Sequence, residues 1–196
     1  MQFILTLLAF LLPITLSPGP ATIALASTGM NHGFVRSMPF FCGLYMSAIV
    51  VAIAGGLGLN EILLSSPVAF AIIRYAGISY ILYLAWKLFR ARPQVEGDNP
   101  VSYGFLDGIL LTALNPKYYV LITVFFSQFL KPGEGDLVKL LFGLGLILLG
   151  SQTIWLSIGV GLRPLLKSER ALRIQTTIFG IMLAMVAVYL LVKDGF

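Results

Sequence analysis

The fold of this chain is limited most by its long runs of residues without any charged side chain. Residues 1–35 contain no Asp, Glu, Lys or Arg, and neither do residues 37–60, 140–162 and 174–192. A helix needs about 20 apolar residues to cross a hydrocarbon core about 30 Å thick. Each run is long enough to span a bilayer, and none alternates between apolar and polar residues as barrel strands do. The runs therefore predict membrane-spanning helices.

Two more long apolar runs are interrupted only by isolated charges. Residues 67–89 contain Arg74 and Lys87, and residues 104–130 contain Asp107 and Lys117. With these runs included, the sequence predicts an all-α integral membrane protein with six transmembrane helices. The predicted spans are 3–28, 38–60, 67–89, 104–130, 138–162 and 174–192.

The composition excludes several other classes of protein. Hydrophobic residues make up 58% of the chain and charged residues 11%, whereas soluble domains carry about 25% charged residues. An ordinary soluble enzyme and a disordered chain are both excluded. With one cysteine, Cys42, and one histidine, His32, the chain cannot build a disulfide scaffold or a Cys/His metal cluster. We predict no metal site, no cofactor, no catalytic residue and no nucleic-acid partner.

The distribution of basic residues predicts the orientation, because cytoplasmic loops carry an excess of Lys and Arg. The chain is therefore expected in the cytoplasmic (inner) membrane, multi-pass, with both termini on the non-cytoplasmic side. Eight basic residues flank the first, third and fifth connections: Arg36, Lys87, Arg90, Arg92, Arg163, Lys167, Arg170 and Arg173. Four lie on the opposite side: Arg74, Lys131, Lys139 and Lys193.

A polar linker at 92–100 divides the single membrane domain, 1–196, into halves at 1–91 and 101–196. Three spans per half force the halves into opposite orientations, as in an inverted repeat. The first span of each half contains a proline break, Ser17-Pro18-Gly19-Pro20 in span one and Asn115-Pro116-Lys117 in span four. Such breaks persist in lipid where they are buried in protein or line a wet cavity. They predict a central site between broken helices 1 and 4, with two simple proline kinks as the alternative.

Lys117 lies at the middle of its predicted span, where a lysine costs about 2.5–3.5 kcal/mol to insert. Asp107, ten residues earlier, would be about 15 Å away along a helix. We therefore expect the ammonium to face a cavity, a counter-charge or the carboxylate of a substrate, helped by the helix N-termini at the two breaks. The alternative is a lysine held by backbone carbonyls at the Asn-Pro break.

The motifs of the chain resemble those of the LysE/RhtB family of small amino-acid exporters over nearly its whole length. The strongest matches are Pro18-Gly19-Pro20 and Asn115-Pro116-Lys117. Further matches are Gly29 with His32-Gly33, Arg74 to Gly77 with Tyr80 to Tyr83, Phe105 to Gly108, and Gln128-Phe129. The resemblance implies a secondary active transporter that exports amino acids or related small zwitterions, coupled to the proton gradient.

The resemblance also implies which residues bind substrate. Pro18, Gly19 and Pro20 would shape one half-site, and Asn115, Pro116 and Lys117 the other, with Lys117 holding the substrate carboxylate. Relatives often carry acidic residues where this chain has Thr22, Ser47 and Gln152. We expect these three side chains to offer neutral hydrogen bonds, so that the substrate is less cationic than lysine or arginine.

Two other functions remain open from the sequence. One is a membrane interaction or assembly protein without transport, and the other is an exporter of an inorganic ion. The expected partners are a small-molecule substrate and the lipid bilayer. Glycines such as Gly143, Gly145 and Gly150 predict close helix packing and are compatible with a homodimer.

Overall fold

The structure, a computed structural model, describes residues 2–58, 66–90, 103–130, 137–165 and 168–192. These residues form eight α-helices and one short 3₁₀-helix, Arg163–Leu165, and include no strand. The α-helices are α1 Gln2–Leu16, α2 Pro20–Arg36, α3 Met38–Gly56, α4 Pro67–Arg90, α5 Phe105–Ala113, α6 Pro116–Phe129, α7 Leu137–Leu162 and α8 Glu169–Val192.

The helix bounds follow the predicted apolar runs closely, although residues 3–28 and 104–130 each hold two helices. By length and composition α3 and α7 can cross a membrane. The α5–α6 pair, bent by 63°, is a third candidate if it counts as one span. The predicted linker, 92–100, lies outside the described residues.

Proline residues explain both interruptions of the helices. Helix α1 ends at Leu16 and α2 begins at Pro20, while α5 ends at Ala113 and α6 begins at Pro116. In both cases a proline occupies the first position of the second helix, where a backbone N–H would lack an intrahelical acceptor anyway. The two interruptions are called the first break (Ser17–Gly19) and the second break (Leu114–Asn115) below.

Helix α2 extends eight residues beyond the predicted end of the first span and then turns sharply into α3. At the corner Gly33 has φ +76°, a left-handed conformation that glycine adopts without steric cost. The hydroxyl of Ser37, which is fully buried, donates to the Gly33 carbonyl at 2.7 Å. Gly33, four residues after Gly29, therefore interrupts the helical geometry inside α2 shortly before the helix ends at Arg36.

Glycines bring two pairs of helices into backbone contact. A Cβ on Gly159 of α7 would collide with the Ala26 carbonyl of α2, and one on Gly43 of α3 would collide with the Phe105 carbonyl of α5. The sequence predicted close helix packing at three other glycines of α7, Gly143, Gly145 and Gly150. A Cβ on Gly145 would lie 3.2 Å from the Tyr45 hydroxyl, but one on Gly150 would meet nothing within 4 Å.

Two apolar cores meet in the middle of the described bundle. The first joins α2, α4, α5 and α8 and includes Leu25, and the second joins α1 and α6 and includes Leu121. Helices α3 and α7 contribute to both cores, through residues such as Leu44 and Leu148. These four leucines face a common cavity, so the junction of the cores is where the candidate site lies.

Candidate functional site

A cavity of about 70 Å³ lies between the two breaks. A single water needs about 10–15 Å³ measured this way, so the cavity holds several waters or a small polar group. Most of its wall is apolar. The described lining is Ile14, Thr15, Ser17, Gly19, Pro20, Ala21, Thr22, Leu25, Leu44, Thr112, Asn115, Lys117, Tyr118, Leu121, Leu148, Ser151 and Gln152.

The first break leaves carbonyl groups at the end of α1 that need new donors. Pro18 has no N–H to give to the Ile14 carbonyl, which instead accepts from the Ser17 hydroxyl at 2.7 Å. The next carbonyl, Thr15, accepts from the Ser151 hydroxyl of α7 at 2.8 Å. These hydroxyl groups therefore satisfy backbone groups that the proline break has freed.

The side chain of Lys117 crosses from the second break to the first. Its Nζ donates to Ser17 Oγ at 2.6 Å and to the Ile14 carbonyl at 3.3 Å. The expectation that this ammonium faces a cavity agrees with its position in the lining. The alternative prediction was a lysine held by backbone carbonyls at the Asn-Pro break. A backbone carbonyl does accept from Lys117, but it is that of Ile14 in α1.

No carboxylate that the structure describes neutralises Lys117. Asp107, the acidic residue closest to Lys117 along the chain, accepts from the Tyr80 hydroxyl at 2.8 Å and from the Gly104 N–H at 2.7 Å. Asp107 therefore caps the start of α5. Within the described residues the ammonium of Lys117 contacts neutral oxygens only, which leaves a positive charge able to attract an anion.

Two helix N-termini face the same region. Asn115 caps α6, with Oδ1 accepting from the Lys117 N–H at 3.1 Å. Thr22 closes the start of α2, with Oγ1 accepting from the Gly19 N–H at 2.8 Å. Helix N-termini carry partial positive charge, which adds to the charge of the lysine.

Two polar atoms on the cavity wall have no hydrogen-bond partner in the described structure. They are the buried Tyr118 hydroxyl and the buried Gln152 Oε1. Buried polar groups are nearly always paired, and an exception calls for water or a ligand. The two atoms are thus candidate contacts for a bound molecule.

The structure brings most of the residues predicted from sequence to one place. Lys117, Asn115, Gly19, Pro20, Thr22 and Gln152 line the cavity. Pro18 does not line it, and the side chain of Pro116 is outside the described atoms.

Ser47 also lies outside the cavity lining. Its hydroxyl donates to the Ile109 carbonyl at 3.2 Å, because Gly43 brings α3 into backbone contact with α5. Ser47 therefore joins two helices, and the structure gives it no place on the cavity wall.

Sequence reasoning missed several cavity residues: Thr15, Ser17, Thr112, Tyr118 and Ser151. Ser17 adjoins the predicted break, and Tyr118 follows Lys117, so proximity along the chain was an available signal for both. Ser151 belongs to a helix without a proline break, and its location depends on helix packing.

The chain as a whole is similar in sequence to a known protein family. A family model described as LysE type translocator matches residues 12–194. The chain belongs to the LysE translocator family. This is a family of transporters rather than enzymes, as the sequence predicted.

The individual relatives are less than 30% identical to this chain over the matched parts. The homoserine/homoserine lactone efflux protein of Salmonella typhi is 29% identical over 133 residues, 65% of each chain. The leucine efflux protein of Enterobacter sp. is 28% identical over 123 residues, 60% of this chain and 58% of the relative. The matched part thus spans less than two thirds of these relatives. No solved structure matches the chain.

Proposed function

We propose that this LysE-family protein is a secondary active transporter that exports small amino acids with uncharged side chains, or related zwitterions, across the cytoplasmic membrane. The observation that carries the proposal is the Lys117 ammonium, which reaches from one break to the other inside a cavity with no acidic side chain in its described lining. A zwitterion supplies the anion that this cavity lacks.

The carboxylate of the substrate would bind at Lys117. In the structure the ammonium donates to a hydroxyl and a carbonyl, both neutral acceptors. A hydrogen bond between two charged groups is about twice as strong as a neutral one. A carboxylate would therefore compete with Ser17 and Ile14 for Lys117, and the N-termini of α2 and α6 would add to its stabilisation.

The chemistry of the remaining cavity wall suits an uncharged side chain. Gln152 Oε1 and the Tyr118 hydroxyl offer neutral acceptors for the substrate ammonium. Leu25, Leu44 and Leu121 form apolar wall. Because no acid in the described lining would compensate a second positive charge, lysine or arginine should bind poorly. The names of the two relatives, which cite homoserine and leucine, agree with this substrate class.

We also propose the six-span inverted repeat with broken helices 1 and 4. Exchanging the halves would swap α1 with α5, α2 with α6, α3 with α7 and α4 with α8. The packed pair α2–α7 then becomes α6–α3, and the packed pair α3–α5 becomes α7–α1. Both of the resulting pairs are also packed in the structure, and the pair α4–α8 is exchanged with itself. This preservation of the contacts supports a two-fold relation between the halves.

Membrane orientation and coupling complete the proposal. The excess of basic residues on one set of connections supports a cytoplasmic location for them, with both termini on the other side. Coupling to the proton gradient rests on the resemblance to the family. The arrangement of the cavity supports this proposal over the two other functions considered, because an assembly protein needs no cation facing a central cavity and an inorganic cation would be repelled by Lys117.

The decisive experiment measures flux in proteoliposomes that contain the full chain. Radiolabelled L-homoserine, L-leucine and L-lysine are loaded separately, with and without a pH gradient. We expect homoserine and leucine to cross faster than through empty vesicles, faster than lysine, and faster still with the gradient. A non-transporting protein would give empty-vesicle rates for all three, and equal rates with and without a gradient would contradict proton coupling alone.

A further inference from the structure

A second group of buried polar side chains lies between α2 and α8, outside the central cavity. Ser27 is fully buried and Gln175 is 5% exposed. The Gln175 amide nitrogen donates to Ser27 Oγ at 3.1 Å, and the Asn31 amide nitrogen donates to the same oxygen at 3.5 Å. These three residues are called the α2–α8 cluster below.

The α2–α8 cluster is incompletely satisfied. The amide oxygens of Asn31 and Gln175 are both buried, and neither has a donor in the described structure. Turning over either amide exchanges its oxygen and nitrogen and leaves the nitrogen unpaired instead. Burying an amide without a hydrogen bond costs about 1–3 kcal/mol by mutational measures. The cluster therefore needs a partner from outside its own residues.

An open cavity of about 310 Å³ borders the cluster at Gln175. This volume is at the lower end of the range of about 300–1,000 Å³ for small-molecule sites. Gln175 is on its wall, and the other described lining residues are apolar: Met30, Leu162, Ala171, Ile174, Ile178 and Phe179. The cavity therefore offers one polar end at Gln175 and room for an uncharged side chain.

Arg163 packs against the C-terminal part of α2, the helix that carries Ser27 and Asn31. The Arg163 guanidinium lies against Gly33, because a Cβ on Gly33 would be 2.6 Å from Arg163 Nη1. Gly33 is two residues after Asn31, and Arg163 directly follows the lining residue Leu162. The amide oxygens can accept from an ammonium group, and the guanidinium can bind a carboxylate.

The cluster is too far from Lys117 to share one substrate molecule with it. Gly19, whose Cβ would lie 3.8 Å from Lys117 Nζ, precedes Ser27 by eight residues, or about 12 Å along a helix. The nitrogen and carboxyl carbon of an α-amino acid are separated by one Cα, about 2.5 Å. A ligand at the cluster must therefore be a second molecule.

We propose that the α2–α8 cluster is a second binding site for an amino-acid zwitterion, with the ammonium on the amide oxygens of Asn31 and Gln175 and the carboxylate towards Arg163. This inference rests on the proposed function and extends it to two successive sites. The neutral oxygens again match a substrate with an uncharged side chain.

Equilibrium binding of radiolabelled L-homoserine to the purified full chain in detergent tests the proposal. We expect two molecules per wild-type chain, one for Lys117→Met, one for the Asn31→Leu/Gln175→Leu double variant, and none when all three changes are combined. Thr176→Val is the matched control. It replaces a buried polar residue on α8 whose hydroxyl bonds only to its own helix, at the Arg173 carbonyl, and should leave two sites.

A second variant distinguishes a lost binding site from a misfolded protein, because it is expected to gain affinity. Gln175→Glu places a carboxylate at the cluster, and we expect about tenfold tighter binding at the site that survives Lys117→Met, as for a hydrogen bond to a charged group. One molecule per wild-type chain, with none bound by Lys117→Met, would mean that water fills the cluster and would overturn the second site alone. No binding by the wild type would overturn the proposed function as well.

Discussion

Replacing Lys117 with methionine tests the central contact directly. Methionine has a similar length and no charge, so the variant removes the ammonium and keeps much of the volume. Two hydrogen bonds are lost, to Ser17 Oγ at 2.6 Å and to the Ile14 carbonyl at 3.3 Å. The Ile14 carbonyl still accepts from the Ser17 hydroxyl, so no proline-freed carbonyl that Lys117 satisfied is left without a donor.

The expected effects on folding and on transport differ. A hydrogen bond to a charged group contributes about 1.5–3 kcal/mol, and a lysine at a helix centre costs about 2.5–3.5 kcal/mol on insertion. The two lost bonds together are worth about 3–6 kcal/mol, and the insertion cost that is recovered offsets about 2.5–3.5 kcal/mol of this loss, so the variant should still insert, with moderate destabilisation at most. Losing the same charged hydrogen bond to a substrate carboxylate corresponds to about 10- to 140-fold weaker affinity, at about 1.4 kcal/mol per tenfold.

The assay is L-homoserine efflux from proteoliposomes at a concentration below KM, normalised to the amount of inserted protein. Lys139→Met, which replaces an exposed lysine of α7, is the control and should match the wild type. Lys117→Arg keeps the charge and should retain more activity than Lys117→Met. Efflux by Lys117→Met within twofold of the wild type, at equal insertion, would refute the role of the ammonium in binding.

Two further predictions concern packing and selectivity. Gly159→Ala should destabilise the protein by about 1–3 kcal/mol, seen as a lower midpoint of thermal unfolding in detergent, because its Cβ collides with the Ala26 carbonyl. Gly161→Ala has no atom within 4 Å of the added Cβ and should leave the midpoint unchanged; equal effects of the two substitutions would contradict the close crossing of α2 and α7. Gln152→Asp adds an acid to the cavity and should raise L-lysine export relative to L-homoserine about tenfold or more, and a ratio unchanged in competition assays would exclude Gln152 from contact with the substrate.

Local patterns along the chain are enough to define the helices and the two breaks. Apolar runs, prolines and N-cap residues act within a few positions of the chain, and so the start of α3, both ends of α7 and the start of α6 at Pro116 were predictable. The free-energy cost of placing a lysine in the middle of a membrane span also depends only on its position in the sequence. Lys117 could therefore be identified as a candidate site residue from the sequence alone.

The surroundings of that lysine depend instead on packing between distant parts of the chain. Lys117 and Ser17 are 100 residues apart, and their contact depends on how α1 and α6 pack. Ser47 bonds to α5 because glycine allows a backbone approach at Gly43, whereas Ser151 reaches the end of α1. Which face of a uniformly apolar helix turns inward is set by its neighbours, since burial in lipid and burial in protein leave the same pattern in the sequence.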